Sequence, residues 1–256
     1  MTPVGIGPKD VLALARHAQR VTSSAPLLVT GILAERLARE LAVGGDPALV
    51  ATAGDPARAA ALVRVVAGAA TAEDARAMRA ATRALVPVVA VQLGDPSASL
   101  PYVLATDVVV CEPGKGFPVR EITRTLAAAL GPEGAPLASS LPVLREAVQE
   151  RRIQEGALAA GVLAMAGKGA PRLPVLALAQ SRMLTDLSRA GGAPPPTDPR
   201  ATAEAVAPPL GAALAMGLAT RGLVRRLPVR NRLVEGVLAA GSTYALASVF
   251  SRVRLG

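Results

Sequence analysis

Four short loops carry the residues from which phosphate and base chemistry could be built. Each follows an apolar run. They are Thr30-Gly31-Ile32-Leu33-Ala34-Glu35, Ala51-Thr52-Ala53-Gly54, Gln92-Leu93-Gly94-Asp95 and Cys111-Glu112-Pro113-Gly114-Lys115-Gly116. A phosphate-cradling loop needs G-x-x-x-x-G-K-[ST]: glycines expose backbone amides, Lys reaches the terminal phosphates, and a hydroxyl holds Mg²⁺. The first loop keeps Gly31 and lacks the second glycine, the lysine and the hydroxyl. Glu35 falls where a helix N-terminus would otherwise attract an anion.

The second loop compares with D-x-x-G, whose carboxylate orders the Mg²⁺ shell. It keeps Gly54 and has Ala51 in place of the acid; Asp55 comes one residue too late. The third compares with N-K-x-D, whose Asp accepts from guanine. Asp95 is kept, while Gln92 and Leu93 replace Asn and Lys. An Asp before Pro96 is also an ordinary turn residue. In the fourth, Gly114-Lys115-Gly116 lacks both the glycine spacing and the following Ser/Thr of a phosphate loop, and reads as a turn. Cys111 at a strand end reads as a small buried hydrophobe. As a nucleophile it would need a base, and the single histidine, His17, is far away in sequence.

The elements that must position these loops alternate in type. Short apolar runs at Pro26–Thr30, Ala48–Ala51, Ala61–Ala67, Pro87–Val91 and Asp107–Val110 predict five strands. Helical patterns follow at Ala34–Val43, with Leu37, Ala38 and Leu41 on one face and a Glu35–Arg39 pair, at Thr71 to about Leu85, and at Val119–Leu130. Thr71 is a cap, with Glu73 and Asp74 at the positive end of the helix dipole. Strands apolar along their whole length indicate a parallel sheet covered on both faces.

Beyond Gly131-Pro132-Glu133-Gly134 the pattern becomes all-helical: Pro142–Ala166, Leu173–Ala190, Ala201–Leu223 and Asn231–Val253, with a Gly/Pro linker at Gly191–Pro199. Val11–Val21 predicts one further helix. The expected organisation is an N-terminal helix in residues 1–25, an α/β domain in 26–135 and a helical domain in 136–256.

Residues 26–130 resemble a degenerate Era-like GTPase domain of the Ras-like superfamily. The strand ending at Gly31, Ala51–Gly54, Val65-Val66 followed by Thr71–Asp74, Val88–Asp95 and Gly114–Phe117 carry the likeness. From about residue 140 the chain resembles the helical YcjF-like domain that follows some bacterial Era-like GTPases and is often called membrane-associated. Leu173–Met183 and the helix with Gly241-Ser242-Thr243 carry that part. The resemblance implies a three-layer P-loop-type, Ras-like α/β fold, here without a working P-loop, followed by an all-α domain. Gly31, Gly54, Asp95 and Cys111 mark the degenerate nucleotide site. The departures in the first two loops argue against GTP hydrolysis and against bound GTP and Mg²⁺, so no cofactor and no metal site is expected.

Composition narrows the partners. Of the 256 residues 51% are apolar, Trp is absent, and the aromatics are Tyr102, Tyr244, Phe117 and Phe250. One cysteine and one histidine exclude a disulfide framework and any site built from several of them. The net charge is +9, with 25 arginines among the 28 basic residues. That suits an anionic lipid surface, or reflects a coding bias that raises Ala, Arg, Gly and Pro together. Nucleic acid is not expected, because stacking aromatics and recognition motifs are missing. Charges interrupt residues 1–24, so no secretory signal is predicted and the cytoplasm, or the cytoplasmic face of a membrane, is the expected location.

Sixteen uncharged residues lie between Glu204 and Arg221, and sixteen between Glu235 and Arg252. A spanning helix needs about 20. Arg221, Arg225, Arg226, Arg230 and Arg232 lie between the two stretches and could meet an anionic leaflet. Small residues at Gly211/Ala215 and Gly236/Ala240 predict close helix crossings. Two readings stay open: an Ala-rich soluble hairpin, and a membrane-inserted or membrane-adsorbed one. The function expected from the whole is a non-catalytic scaffold or regulator working with an unidentified protein partner. The alternatives are a nucleotide-binding switch or GTPase with a reworked site and a membrane-anchoring helical module.

Overall fold

The computed structural model describes residues 8–19, 25–94, 99–112, 114–131, 134–166, 172–194, 196–226 and 232–255. The chain forms two compact units, one of residues 22–148 and one of residues 1–21 with 149–256.

The first unit is built on strands β1 (Leu27–Gly31), β2 (Val50–Ala51), β3 (Ala61–Ala67), β4 (Val88–Leu93) and β5 (Val108–Cys111). All pair in parallel, in the order β2-β1-β3-β4-β5. The order reverses at β1/β3, so the crevice beyond the carboxyl ends of the strands is where a doubly wound sheet binds ligands. The topology is compatible with a Ras-like fold. β3 is buried from Ala61 to Val66, which requires cover on both faces. Helix α3 (Ala72–Arg83) supplies one side: Met78 and Ala81 pack with Leu28, Leu62 and Val88. Helices α2 (Ala34–Leu41) and α4 (Val119–Leu130) pack on β1–β2 and β3–β5. As the periodicity predicts, α2 buries Leu37, Ala38 and Leu41.

Three details differ from the sequence expectation. β2 is only two residues long, because the Asp46 carboxylate accepts from the Ala48 amide (2.9 Å) and folds Pro47–Leu49 into a 3₁₀ turn. A short helix α5 (Gly134–Ser140) was not expected; at seven residues it offers too few turns for a period to show, yet it buries Ala135, Leu137 and Ala138. On α2 the ion pair is Arg36–Glu40 at 3.2 Å, while Arg39 donates to the Glu35 backbone carbonyl instead of its carboxylate.

Helix α6 (Pro142–Ala166) gives its first residues to this unit and the rest to the second. The second unit is all-helical and adds α1 (Pro8–Gln19), α7 (Arg172–Ala190), α8 (Pro199–Arg226) and α9 (Arg232–Leu255). Small residues set its packing. A Cβ on Gly236 would lie 2.5 Å from the Met165 side chain and 3.2 Å from the Gly161 carbonyl, so α6 and α9 touch backbone to backbone. The expected Gly236/Ala240 crossing is therefore present, with Gly161 between them. The expected Gly211/Ala215 crossing is not: Ala215 is exposed and nothing approaches Gly211. Ile153, Met183, Leu184, Leu187 and Ala247 form the main cluster, and Gln180 donates to Thr243 Oγ1 at 2.6 Å in the interior. Pro208 and Pro209 sit inside α8, where their missing N–H groups remove two helix hydrogen bonds.

Candidate functional site

The first loop is a two-residue turn between β1 and α2. Gly31 has φ 100°, and a Cβ there would fall 2.1 Å from the Val65 carbonyl oxygen on β3. Its glycine is thus required by the neighbouring strand, not by a phosphate. The next amide, Ile32 N–H, donates to that same Val65 carbonyl at 3.1 Å. The group that would begin an anion cradle is already bonded to the sheet. Leu33 closes the turn at φ 57° and projects into solvent, 53% exposed.

In the second loop Gly54 is exposed with φ 154°, and the Asp55 carboxylate accepts from the Ala57 amide at 3.0 Å. That bond caps a 3₁₀ turn at Pro56–Arg58 and directs the acid along its own backbone. In the third, Gln92 is buried and donates to the Gly68 carbonyl at 3.1 Å, bracing the end of β4 against the β3–α3 turn. Gly94 N–H donates to the Cys111 carbonyl at 3.3 Å. Asp95 lies outside the described residues.

The fourth loop is a turn, as its residues predict. Lys115 N–H donates to the Glu112 carbonyl (3.2 Å), and the two side chains pair at 2.6 Å. Both are largely exposed, so the pair contributes little to stability. Cys111 is buried, and its thiol faces the carbonyls of Lys115 (3.7 Å) and Gly116 (3.6 Å), both acceptors for S–H. Burial pushes the thiol's pKa up, Glu40 and Glu112 add to the shift, and Arg36 opposes it. A protonated thiol donating to carbonyls is a packing element, not a nucleophile.

The first, third and fourth loops converge on a cleft of about 450 Å³ at the carboxyl ends of β4 and β5. Leu33 and Arg36, Leu93 and Gly94, Cys111, and the loop to Phe117 line it. Gly31 and Gly54 do not. The Arg36 guanidinium sits 5.9 Å from the Phe117 ring centroid and bonds Glu40, so both basic side chains at the cleft are paired with carboxylates. Among the described residues no group of three His, Cys, Asp or Glu side chains could hold a metal ion. The cleft can take an apolar or planar group beside Arg36. Glu112 is the one carboxylate among its described lining side chains, and it is paired with Lys115.

A polar centre that the motif comparison misses lies on the β3–α3 side. Arg64, in the middle of β3, is buried and donates through Nε to Asp74 Oδ1 at 2.7 Å; Nη2 reaches Glu73 at 3.3 Å. Asp74 also accepts from Thr71 N–H (2.8 Å) and Thr71 Oγ1 (2.7 Å), completing a capping box with Asp74 N–H on Thr71 Oγ1. Burial raises the Asp74 pKa, but hydrogen bonds from Thr71 and the bond and charge of Arg64 outweigh it, so the net shift is downward. The signal in the sequence was one arginine inside the apolar run Ala61–Ala67.

In the second unit, the stretches Pro199–Thr220 and Leu233–Arg252 are long and apolar enough to cross a membrane, with mean hydropathy 1.2 and 1.5. Arg221, Arg225 and Arg226 fall in the last turns of α8 and Arg232 opens α9. Arg230 lies outside the described residues. Set beside protein-family models, curated proteins and solved structures, the chain matches none of them.

Proposed function

We propose that this chain is a non-catalytic pseudo-GTPase, a scaffold or regulator that works through the surface of its α/β unit at the cytoplasmic face of a membrane. The observation that carries the reading is the Ile32 amide bonded to Val65. A phosphate cradle needs several successive backbone amides convergent on the anion, whereas only Ile32 and Leu33 lie between β1 and α2, and the Ile32 amide ends the β1–β3 ladder. The other losses agree with this. Asp55 caps its own turn, Gln92 braces β4, and Cys111 holds a proton between carbonyls.

Thermal-shift titration of the full chain with GTP, GDP and ATP, each with and without Mg²⁺, tests it. The expected result is no saturable rise in melting temperature. A saturable rise would overturn the reading in favour of the second one, a nucleotide switch with a reworked site. The cleft of about 450 Å³ beside Arg36 favours that alternative. The membrane location draws its support from the apolarity of α8 and α9.

A further inference from the structure

α8 and α9 turn mainly small residues inward, while Ile153 of α6 and Met183, Leu184 and Leu187 of α7 supply the large buried side chains. The buried stripe of α8 is Thr202, Val206, Pro209, Ala213 and Gly217, and that of α9 is Gly236, Ala239, Thr243 and Ala247. Large apolar side chains point outward instead: Leu218 is 63% exposed, Val237 71%, Val249 61% and, on α6, Leu158 69%. In water the opposite arrangement is favoured, since burying large apolar surface drives folding. Small residues inside and large apolar ones outside is how helices pack against one another in lipid. Exposed apolar surface of this extent calls for a covering partner.

The charge and the helix order say what covers it. Met165 meets Gly236, Gly161 meets Gly236 and Ala240, and Ile153 clusters with Ala247 and Ala212. The uncharged parts of α6 and α9 therefore lie side by side, antiparallel, and α8 packs on α9, with Ala212 in the same cluster. Just beyond them, the chain places Arg221, Arg225 and Arg226 at the end of α8 and Arg232 at the start of α9. Between Glu204 and Glu235 the sequence has no acid. An apolar flank next to a cluster of cations is complementary to acyl chains beneath anionic headgroups. A nucleic acid would meet the cations and leave the apolar flank uncovered.

Crossing is disfavoured by charge, and by the length of α6. Pro199–Thr220 and Leu233–Arg252 are long enough to span, but Gly156–Ala166, the uncharged part of α6 beside α9, extends only roughly 17 Å against a hydrocarbon core of about 30 Å. A spanning hairpin would also carry the arginines of residues 221–232 through that core, which is costly. Lying along the surface, the helices keep those arginines among the headgroups they entered by.

We infer that the α6/α8/α9 face lies along a single leaflet of an anionic bilayer, without crossing it. This rests on the membrane-face reading above and specifies its geometry. The full chain is added to preformed vesicles of phosphatidylcholine alone or with 30% phosphatidylglycerol, then floated. The expected result is flotation with the anionic vesicles, at least tenfold weaker with neutral ones and weakened by 0.5 M salt. The combined substitution Leu158→Glu, Leu218→Glu and Val237→Glu should leave the melting temperature in buffer unchanged and reduce flotation at least tenfold.

A second measurement reads depth and does not depend on those variants. In a Cys111→Ser chain, Gly222→Cys places one thiol at an exposed position with nothing within 4 Å of its Cβ. Labelling by a membrane-impermeant maleimide without detergent supports the single-leaflet geometry. Protection until detergent is added shows crossing and overturns this inference alone. Equal flotation with neutral vesicles overturns the role of the anionic headgroups. No flotation with either vesicle overturns the inference and the membrane location together. So does a stable dimer that the three glutamates dissociate, or binding to a single-stranded oligonucleotide in place of vesicles.

Discussion

Replacing Asp74 by Ala should destabilise the α/β unit more than any surface change, and a second substitution should rescue it. Both Asp74 and Arg64 have side chains only 8% exposed, at 2.7 Å from each other. Removing one partner of a buried pair leaves the other charge uncompensated, at about 3–5 kcal/mol. Loss of the Asp74 half of the capping box, its bonds from Thr71 N–H and Oγ1, adds about 1 kcal/mol, while Thr71 still caps the residue-74 amide. Glu73, 76% exposed at 3.3 Å, gives Arg64 partial compensation, so we expect about 3 kcal/mol for Asp74→Ala. Adding Arg64→Met removes the stranded guanidinium and fills its space with an apolar chain. The double variant should then lose only about 1 kcal/mol, the capping-box term, because apolar replacement of both partners is often neutral.

Urea unfolding can be read through Tyr102 fluorescence in a Tyr244→Phe chain, which leaves a single tyrosine, in the α/β unit. Acidity supplies a second reading. The folded-state pKa of Asp74 is below its unfolded value of about 3.9. Its stabilisation is therefore fully present above that value and is lost as pH falls below it. The wild-type chain should lose this increment on acidification, and Asp74→Ala should lack that portion of the slope. The reasoning fails if Asp74→Ala costs under about 1 kcal/mol, or if the double variant is as unstable as the single one.

Gly31→Ala should lower the α/β unit's stability by at least about 2 kcal/mol, from the positive φ and the 2.1 Å approach to Val65, and calorimetry would read this as a lower melting temperature. Cys111 should react with a chromogenic disulfide at pH 8 at least tenfold more slowly in the native chain than in urea, because it is buried and its pKa is raised; equal rates would refute the packing role.

Much of the α/β architecture was legible in the residues. Strands buried on both faces read as continuous apolar runs, and the predicted run Ala61–Ala67 is β3 residue for residue. The Thr71 cap was equally plain, because capping is a local hydrogen bond between residues three apart. The short β2 and the Asp55 turn were harder. Both depend on an Asp choosing its own backbone over a longer strand or a ligand. Of the candidate residues, Gly31 and Gly54 were legible as turn glycines. Their separation from the cleft was not, since it depends on which way a turn folds over a sheet.

The sequence by itself determined the order of strands and helices, the missing phosphate and Mg²⁺ groups, and the two uncharged stretches near the C-terminus. Those follow from residue type and spacing. Only the tertiary structure decided that the Ile32 amide bonds to Val65, that Arg64 pairs with Asp74, and that α8 and α9 turn their small residues inward. Each of these is a contact between residues distant in the chain. Periodicity can say that a helix has two faces, but which face is covered depends on the helices packed against it.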